Sequence, residues 1–179
     1  MERVHSIKML AVLALVLLGS SVNEGRVLDK CQLKAQMEEA YGSDAAEKTI
    51  DGAPGVTVGD VVAKLMCSMK KTSGLDTGFT TSVQAPGSNS TMNLYGLFLL
   101  SDRVACNSGS NPSLNICRLD CSALTDDDLS DDIRCLKIVM KFVSILIEDA
   151  PHPPATGMHF LHMNECSTVV ASDYFADCP

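Results

Sequence analysis

The sequence predicts an α+β chain in which helices flank a small antiparallel sheet and disulfides hold the parts together. Three observations carry that prediction. Apolar residues recur at helical spacing in three stretches, the segment between the second and third switches to short β-prone runs, and eight cysteines follow a hydrophobic leader. A length of 179 residues suits one domain with a real core, and hydrophobic and charged fractions of 46% and 20% argue against disorder over the whole chain. The net charge of −8 argues against nucleic-acid backbones and anionic membrane or cell-wall surfaces as main partners.

Residues 1–25 read as a secretory signal peptide. Arg3 and Lys8 form a basic start, Met9–Leu18 is an unbroken apolar run, and the small residues Gly19, Ser20 and Ser21 follow. Ten apolar residues fall short of the ~20 that span a bilayer. Cleavage after Ser21 and cleavage after Gly25 both fit. The leader carries two acids and two bases, so the charge of the remaining domain, residues 26–179, is unchanged. All eight cysteines, Cys31 to Cys178, lie in that domain. In an oxidising compartment they predict four disulfides, for which spacing alone allows about 105 connectivities. A secreted, extracellular monomer is expected.

Leu33, Met37, Ala40 and Tyr41 make one face of a first helix, and Gly42 supplies its stop. Residues 43–56 carry Gly, Pro and acids and predict a loop. Thr57-Val-Gly-Asp60 matches a capping box with Asp in the usual place of Glu. Behind it Val58, Val61, Val62, Leu65, Met66 and Met69 form a helical stripe that Gly74 ends. Thr77 to Leu100 predicts two or three antiparallel strands, broken by Ala85-Pro-Gly-Ser-Asn-Ser90. Asn89-Ser-Thr91 in that turn is an N-glycosylation acceptor pattern. Cys106, Cys117 and Cys121 predict an irregular stapled loop. A long helix should then run from about Ser130 to Glu148, ended by the proline-rich 149–154, with one short helix over 157–163. His159 and His162 stand at i, i+3 there, a spacing commoner for ordinary surface or core histidines than for a metal pair.

The most distinctive stretch is residues 123–135. Asp126, Asp127, Asp128, Asp131 and Asp132 place five carboxylates within seven residues. Helix capping and the helix dipole account for one or two acids at ~0.3–1 kcal/mol each. Five together repel unless a cation bridges them, and Ca²⁺, which takes 6–8 oxygen ligands, is the natural bridge. The spacing is not that of an EF-hand.

This loop, with its cysteines, resembles the C-type lysozyme and α-lactalbumin family, the glycoside hydrolase family 22 type. Cys117-Arg-Leu-Asp-Cys121 followed by Cys135 carries the resemblance, with Arg26-Val-Leu-Asp-Lys-Cys31, Cys67-Ser-Met-Lys-Lys-Thr-Ser-Gly74 and Tyr95-Gly-Leu-Phe98. It covers residues 26–178, with 43–56 and 147–156 as insertions. The α-lactalbumin branch looks nearer, because Asp126-Asp-Asp-Leu-Ser-Asp-Asp-Ile133 is similar to its calcium segment. The resemblance implies a helical lobe, a small β lobe, and the pairs Cys31–Cys178, Cys67–Cys166, Cys106–Cys121 and Cys117–Cys135. It also implies a Ca²⁺ cofactor held by the carboxylates of Asp126, Asp131 and Asp132 and the carbonyls of Ala123 and Asp128.

Retaining glycosidases need two carboxyl groups, one protonated and one ionised. At the positions where the family carries them, this chain has Thr72 and Leu94, neither of which exchanges a proton or carries negative charge at neutral pH. Asp76, Glu38 and Glu39 predict solvated surface acids. The chain has no Trp to stack on sugar. The resemblance therefore implies a non-catalytic binding protein, with a lysozyme-like hydrolase acting on peptidoglycan as the alternative. The branch's best-known role is to redirect a galactosyltransferase. The matching contact positions here are Lys70 and Lys71, and the nearest aromatics to the branch's tryptophan are Tyr174 and Phe175. A glycosyltransferase or another secreted protein is the expected partner at that face.

Overall fold

The computed structural model describes residues 25–42, 49–50, 53–84, 89–149 and 164–179. Residues 1–24 of the expected leader, the histidines 159 and 162 and the short helix expected over 157–163 lie outside them. Helix α1 (Lys30–Tyr41) begins where Asp29 accepts from the Cys31 amide at 2.8 Å, the usual job of an N-cap carboxylate. It buries Leu33 and Met37 and stops at Gly42, whose φ of +88° favours glycine.

The predicted loop over 43–56 is partly wrong. Thr49–Ile50 (β1) and Ala53–Thr57 (β2) form an antiparallel ribbon, with Thr49 opposite Thr57 and Ile50 opposite Ala53. The signal was present in Asp51-Gly52, a hairpin dipeptide between two short runs. Helix α2 (Val58–Thr72) follows directly, and its capping box is complete: Asp60 N donates to Thr57 Oγ1 at 3.1 Å and Thr57 N donates to Asp60 Oδ2 at 3.0 Å. The face it buries most deeply is Ala63, Met66, Cys67 and Met69, whereas Val62 and Leu65 are only partly covered. At its end Ser68, Thr72 and Ser73 turn their hydroxyls back to the carbonyls of Lys64, Ser68 and Met69.

Strands β3 (Thr80–Gln84), β4 (Thr91–Tyr95) and β5 (Leu100–Ser101) form one antiparallel sheet in sequence order. Alternation along β4 puts Met92 and Leu94 inside at 1% exposure. The turn from β4 to β5 is buried as well: Leu97, Phe98 and Leu99 are covered, and Leu99 is held at φ +53°. A short 3₁₀ helix (Cys121–Leu124) leads to α3 (Leu129–Asp149), which brings Ile133, Leu136 and Val139 onto the same core. A second 3₁₀ helix (Asn164–Cys166) and α4 (Ala171–Tyr174) close the described chain. The disulfides are Cys31–Cys178, Cys67–Cys166, Cys106–Cys121 and Cys117–Cys135, the four pairs that the resemblance implies.

Gly96, first in the β4–β5 turn, joins the sheet to the acidic loop. Its φ is +69°, and a Cβ built there would stand 1.9 Å from the carbonyl oxygen of Leu124. Gly96→Ala should lower unfolding free energy by ~2–4 kcal/mol, because strain and a backbone clash act together. Gly74→Ala, with φ +67° and nothing within 4 Å, should lose only ~1–2 kcal/mol. Denaturant midpoints of the two variants check the difference.

Candidate metal centre

The five aspartates of the loop do not share one environment. Asp128 caps α3, with Ser130 N donating to its Oδ1 at 3.0 Å, and hydrogen bonds from Ser130 hold its carboxyl below the ordinary value. Asp126 Oδ1 accepts from Asp128 N at 2.8 Å, closing a local turn. Asp127 points away toward the amino-terminal segment, 3.7 Å from Arg26 Nε and 3.4 Å from Thr77 Oγ1.

Asp131 and Asp132 stand in the first turn of α3, where the helix dipole favours carboxylates. Burial and like charge outweigh that. Asp131 is pushed up by desolvation and by the neighbouring Asp126. Asp132 is 1% exposed and is raised to about 8, first by burial and then by Asp131 and Asp126. Its Oδ2 is buried with no hydrogen-bond partner. Such an atom is costly in a native protein unless something fills the gap. The charged groups acting on it are the carboxylates of Asp131 and Asp126, acceptors like itself, and a hard cation satisfies such oxygens together.

Disulfides Cys106–Cys121 and Cys117–Cys135 hold both ends of this segment. The sheet side is fixed by Gly96, since a Cβ there would stand 3.1 Å from Asp132 Oδ1. Among the described residues, the one His/Cys/Asp/Glu group whose ligand atoms lie within 4.8 Å of one another is Cys31, Asp177 and Cys178. Its sulfurs are a disulfide and Asp177 pairs with Lys30, so it offers no thiolate for a metal. The carboxylates of Asp126, Asp131 and Asp132 stand farther apart, as like charges do.

The other singled-out residues fall in separate places. Thr72 ends α2 and donates to Ser68 O at 2.8 Å, and Leu94 is buried mid-strand opposite Thr81 and Ser101. Glu38 pairs with Lys34 at 2.9 Å, Glu39 is exposed, and Asp76 accepts from Gly78 N at 2.9 Å. Glu39 lines a groove between α1 and the start of α3 that Asp127 and Asp128 also line. Lys70 and Lys71 are exposed at the end of α2, with Lys71 bonded to Glu165. Tyr174 is half-buried beneath Lys30, and Phe175, at 8% exposure, lies under Lys34 and lines an apolar cavity of about 430 Å³ between α1, α2 and α4. Phe175 is thus a core residue rather than part of an open face. Asn89 is exposed at the end of the β3–β4 turn.

Asp102, which carries no local signal in the sequence, and Asp60, beyond its place in the capping box, do structural work. Asp102 is wholly buried and accepts from Asn93 N and Nδ2, Ser108 Oγ and Asn111 Nδ2, at 2.9–3.0 Å. Burial raises its carboxyl, but those donors outweigh it and the net shift is downward. Asp60 uses its second oxygen to accept from Ala171 N at 2.8 Å, so the cap of α2 also fixes the start of α4. That bond is the leading cause of its depressed carboxyl.

The chain is similar to proteins of one family. A family model described as the C-type lysozyme/alpha-lactalbumin family matches residues 26–147. Lysozyme C-3 of Sus scrofa is 37% identical over 135 residues, 75% of this chain and 80% of that one. Alpha-lactalbumin of Homo sapiens is 38% identical over 99 residues, 55% of this chain and 63% of that one. Sperm acrosome-associated protein 5 of Mus musculus is 33% identical over 128 residues, 72% and 68% of the two chains. Identity does not separate the lysozyme branch from the α-lactalbumin branch. The solved structure of lysozyme from Equus asinus aligns with a TM-score of 0.58 at 22% identity, over 86% of this chain and 99% of that one, and shares its fold. The chain belongs to the C-type lysozyme/α-lactalbumin family.

Proposed function

We propose that this protein is a secreted, non-catalytic binding protein whose acidic loop holds a calcium ion. The observation that carries the proposal is Asp132 Oδ2, a buried carboxylate oxygen with no donor, beside Asp131 and Asp126. The carboxylates of Asp126, Asp131 and Asp132, with the carbonyls of Ala123 and Asp128, would hold the ion. When bound it supplies positive charge that lets all three carboxylates ionise together. The apolar leader supports secretion.

Calcium and pH should act on stability in linked ways. Asp132 sits near 8 in the folded, cation-free chain and near ~3.9 when unfolded. Between those values the folded chain holds a proton that the unfolded chain has lost. Cation-free stability is therefore fullest at the acid end of that window and falls as pH rises through it. The depressed Asp60, Asp102 and Asp128 act the other way, but only below the ordinary carboxylate range. Calcium at ~100 times its Kd should raise Tm at pH 7.5 by about 5–10 °C. Asp132→Asn should remove that response and raise the cation-free Tm at pH 8. Equal Tm in millimolar calcium and in chelator would sink the proposal.

The second reading, a lysozyme-like hydrolase, draws on the likeness to lysozyme C-3. Thr72 and Leu94 weigh against it, because neither supplies a proton or a charge. The partner class we propose instead is a galactosyltransferase of the lactose-synthase type, engaged through the exposed Lys70 and Lys71. Pure protein should leave a bacterial cell-wall suspension turbid, while shifting the acceptor use of a galactosyltransferase. Clearing of the suspension would reinstate the hydrolase.

Exposed Asn89 is the proposed glycan site. Protein from secreting cells should gain mobility on a denaturing gel after enzymatic deglycosylation, and Asn89→Gln should abolish the change.

A further inference from the structure

The chain has three tyrosines, and one of them is exposed among acids. Tyr41 ends α1 at 36% exposure, with Glu38 and Glu39 in the same last turn. Tyr95 has no acid within three residues, and the Tyr174 hydroxyl is buried. Helix stability does not explain the two glutamates. The last turn of α1 carries no basic residue, and the helix dipole there disfavours negative charge. Glu38 pairs with Lys34 in the weaker order, with lysine on the amino-terminal side, and Glu39 is exposed. A cation reaches this helix end from α3 instead. Lys137 donates to Ala40 O and holds its Nζ 4.4 Å from the centre of the Tyr41 ring. Partial burial raises the Tyr41 phenol, so it is protonated at neutral pH.

We propose that Tyr41 is the acceptor of a sulfuryl group, transferred by a tyrosyl sulfotransferase of the secretory pathway. An enzyme that grips a polyanionic donor carries positive charge at its site, and Glu38 and Glu39 complement that charge. The donor is an adenosine nucleotide bearing a phosphosulfate anhydride. The phenolic oxygen attacks sulfur, a new O–S bond forms, and the S–O bond to phosphate breaks. The nucleotide leaves with that electron pair, and the phenolic proton passes to a base of the transferase. Since α1 stops at Gly42, the acceptor sits at a helix end, where fraying presents it most readily. The ester adds one fixed negative charge beside Glu38 and Glu39. Lys137, already over the ring, is placed to pair with it. The inference rests on the proposed secretion and is independent of the calcium ion.

The full chain expressed in secreting cells tests it, through the mass of the tryptic peptide 35–48, whose one tyrosine is Tyr41. That peptide should carry the mass of one sulfo group, resistant to phosphatase and lost when chlorate blocks synthesis of the donor. Tyr41→Phe should abolish it. Glu38→Gln with Glu39→Gln should cut occupancy about fivefold, the effect of losing two exposed charge contacts. Intact disulfides and far-UV circular dichroism check that the variants fold. A chain missing from the medium would count against secretion instead. The cell-associated chain, given purified sulfotransferase and donor, must then take up the group in the same peptide. An unmodified peptide, a sulfo group that survives Tyr41→Phe, or occupancy unchanged by the two glutamate substitutions overturns the proposal.

Discussion

The sheet lobe and the acidic loop depend on covalent closure, because long stretches of them have little regular structure to hold them. Between β5 and α3 the chain runs from Asp102 to Asp128 with one 3₁₀ turn and an isolated bridge between Asn107 and Asp120. Cys106–Cys121 and Cys117–Cys135 close short loops there, with sequence separations of 15 and 18. Cys31–Cys178 and Cys67–Cys166 close long ones, with separations of 147 and 99, and bring the end of the chain onto α1 and α2. In the chain-entropy account, links of these sizes disfavour the unfolded chain by ~3 kcal/mol for a short loop and ~5 kcal/mol for a long one. With such closure, a buried Asp132 becomes tolerable.

Leu94 and Asp132 show the same physics from opposite sides. Both are 1% exposed. Leu94 gains from that burial, and a carboxylate in its place among Met92, Leu97 and Phe98 would have neither donor nor solvent. Asp132 bears that penalty: burial first, then the carboxylates of Asp131 and Asp126, raise its proton affinity, and those carboxylates suit a hard cation. Asp102 shows the third outcome: equally buried, but with four donors from Asn93, Ser108 and Asn111 it needs no ion.

Local pattern made much of this legible. Periodicity located α1, α2 and α3, and Thr57 with Asp60 marked the start of α2. The disulfide pairing was not legible from spacing, and came through the family resemblance. The β1–β2 ribbon was obscured by Gly and Pro, although Asp51-Gly52 announced a hairpin. Five adjacent aspartates look alike in sequence, yet only Asp132 falls on the helix face of Leu129, Ile133 and Leu136, where an i+3 spacing from Leu129 carries it inside. Asp102 gave no local signal, since its donors come from Asn93 in β4 and from Ser108 and Asn111 in a loop whose course only the folded chain defines.

Asp60 has a consequence for how the molecule opens. Its two oxygens serve the first turn of α2 and the first turn of α4, residues 111 apart in sequence. The carboxyl-terminal segment therefore cannot peel away by simple fraying: releasing Ala171 also disturbs the turn that starts at Val58. The tail and the start of α2 form a single cooperative unit, whose amides should exchange with solvent together although they belong to distant parts of the chain.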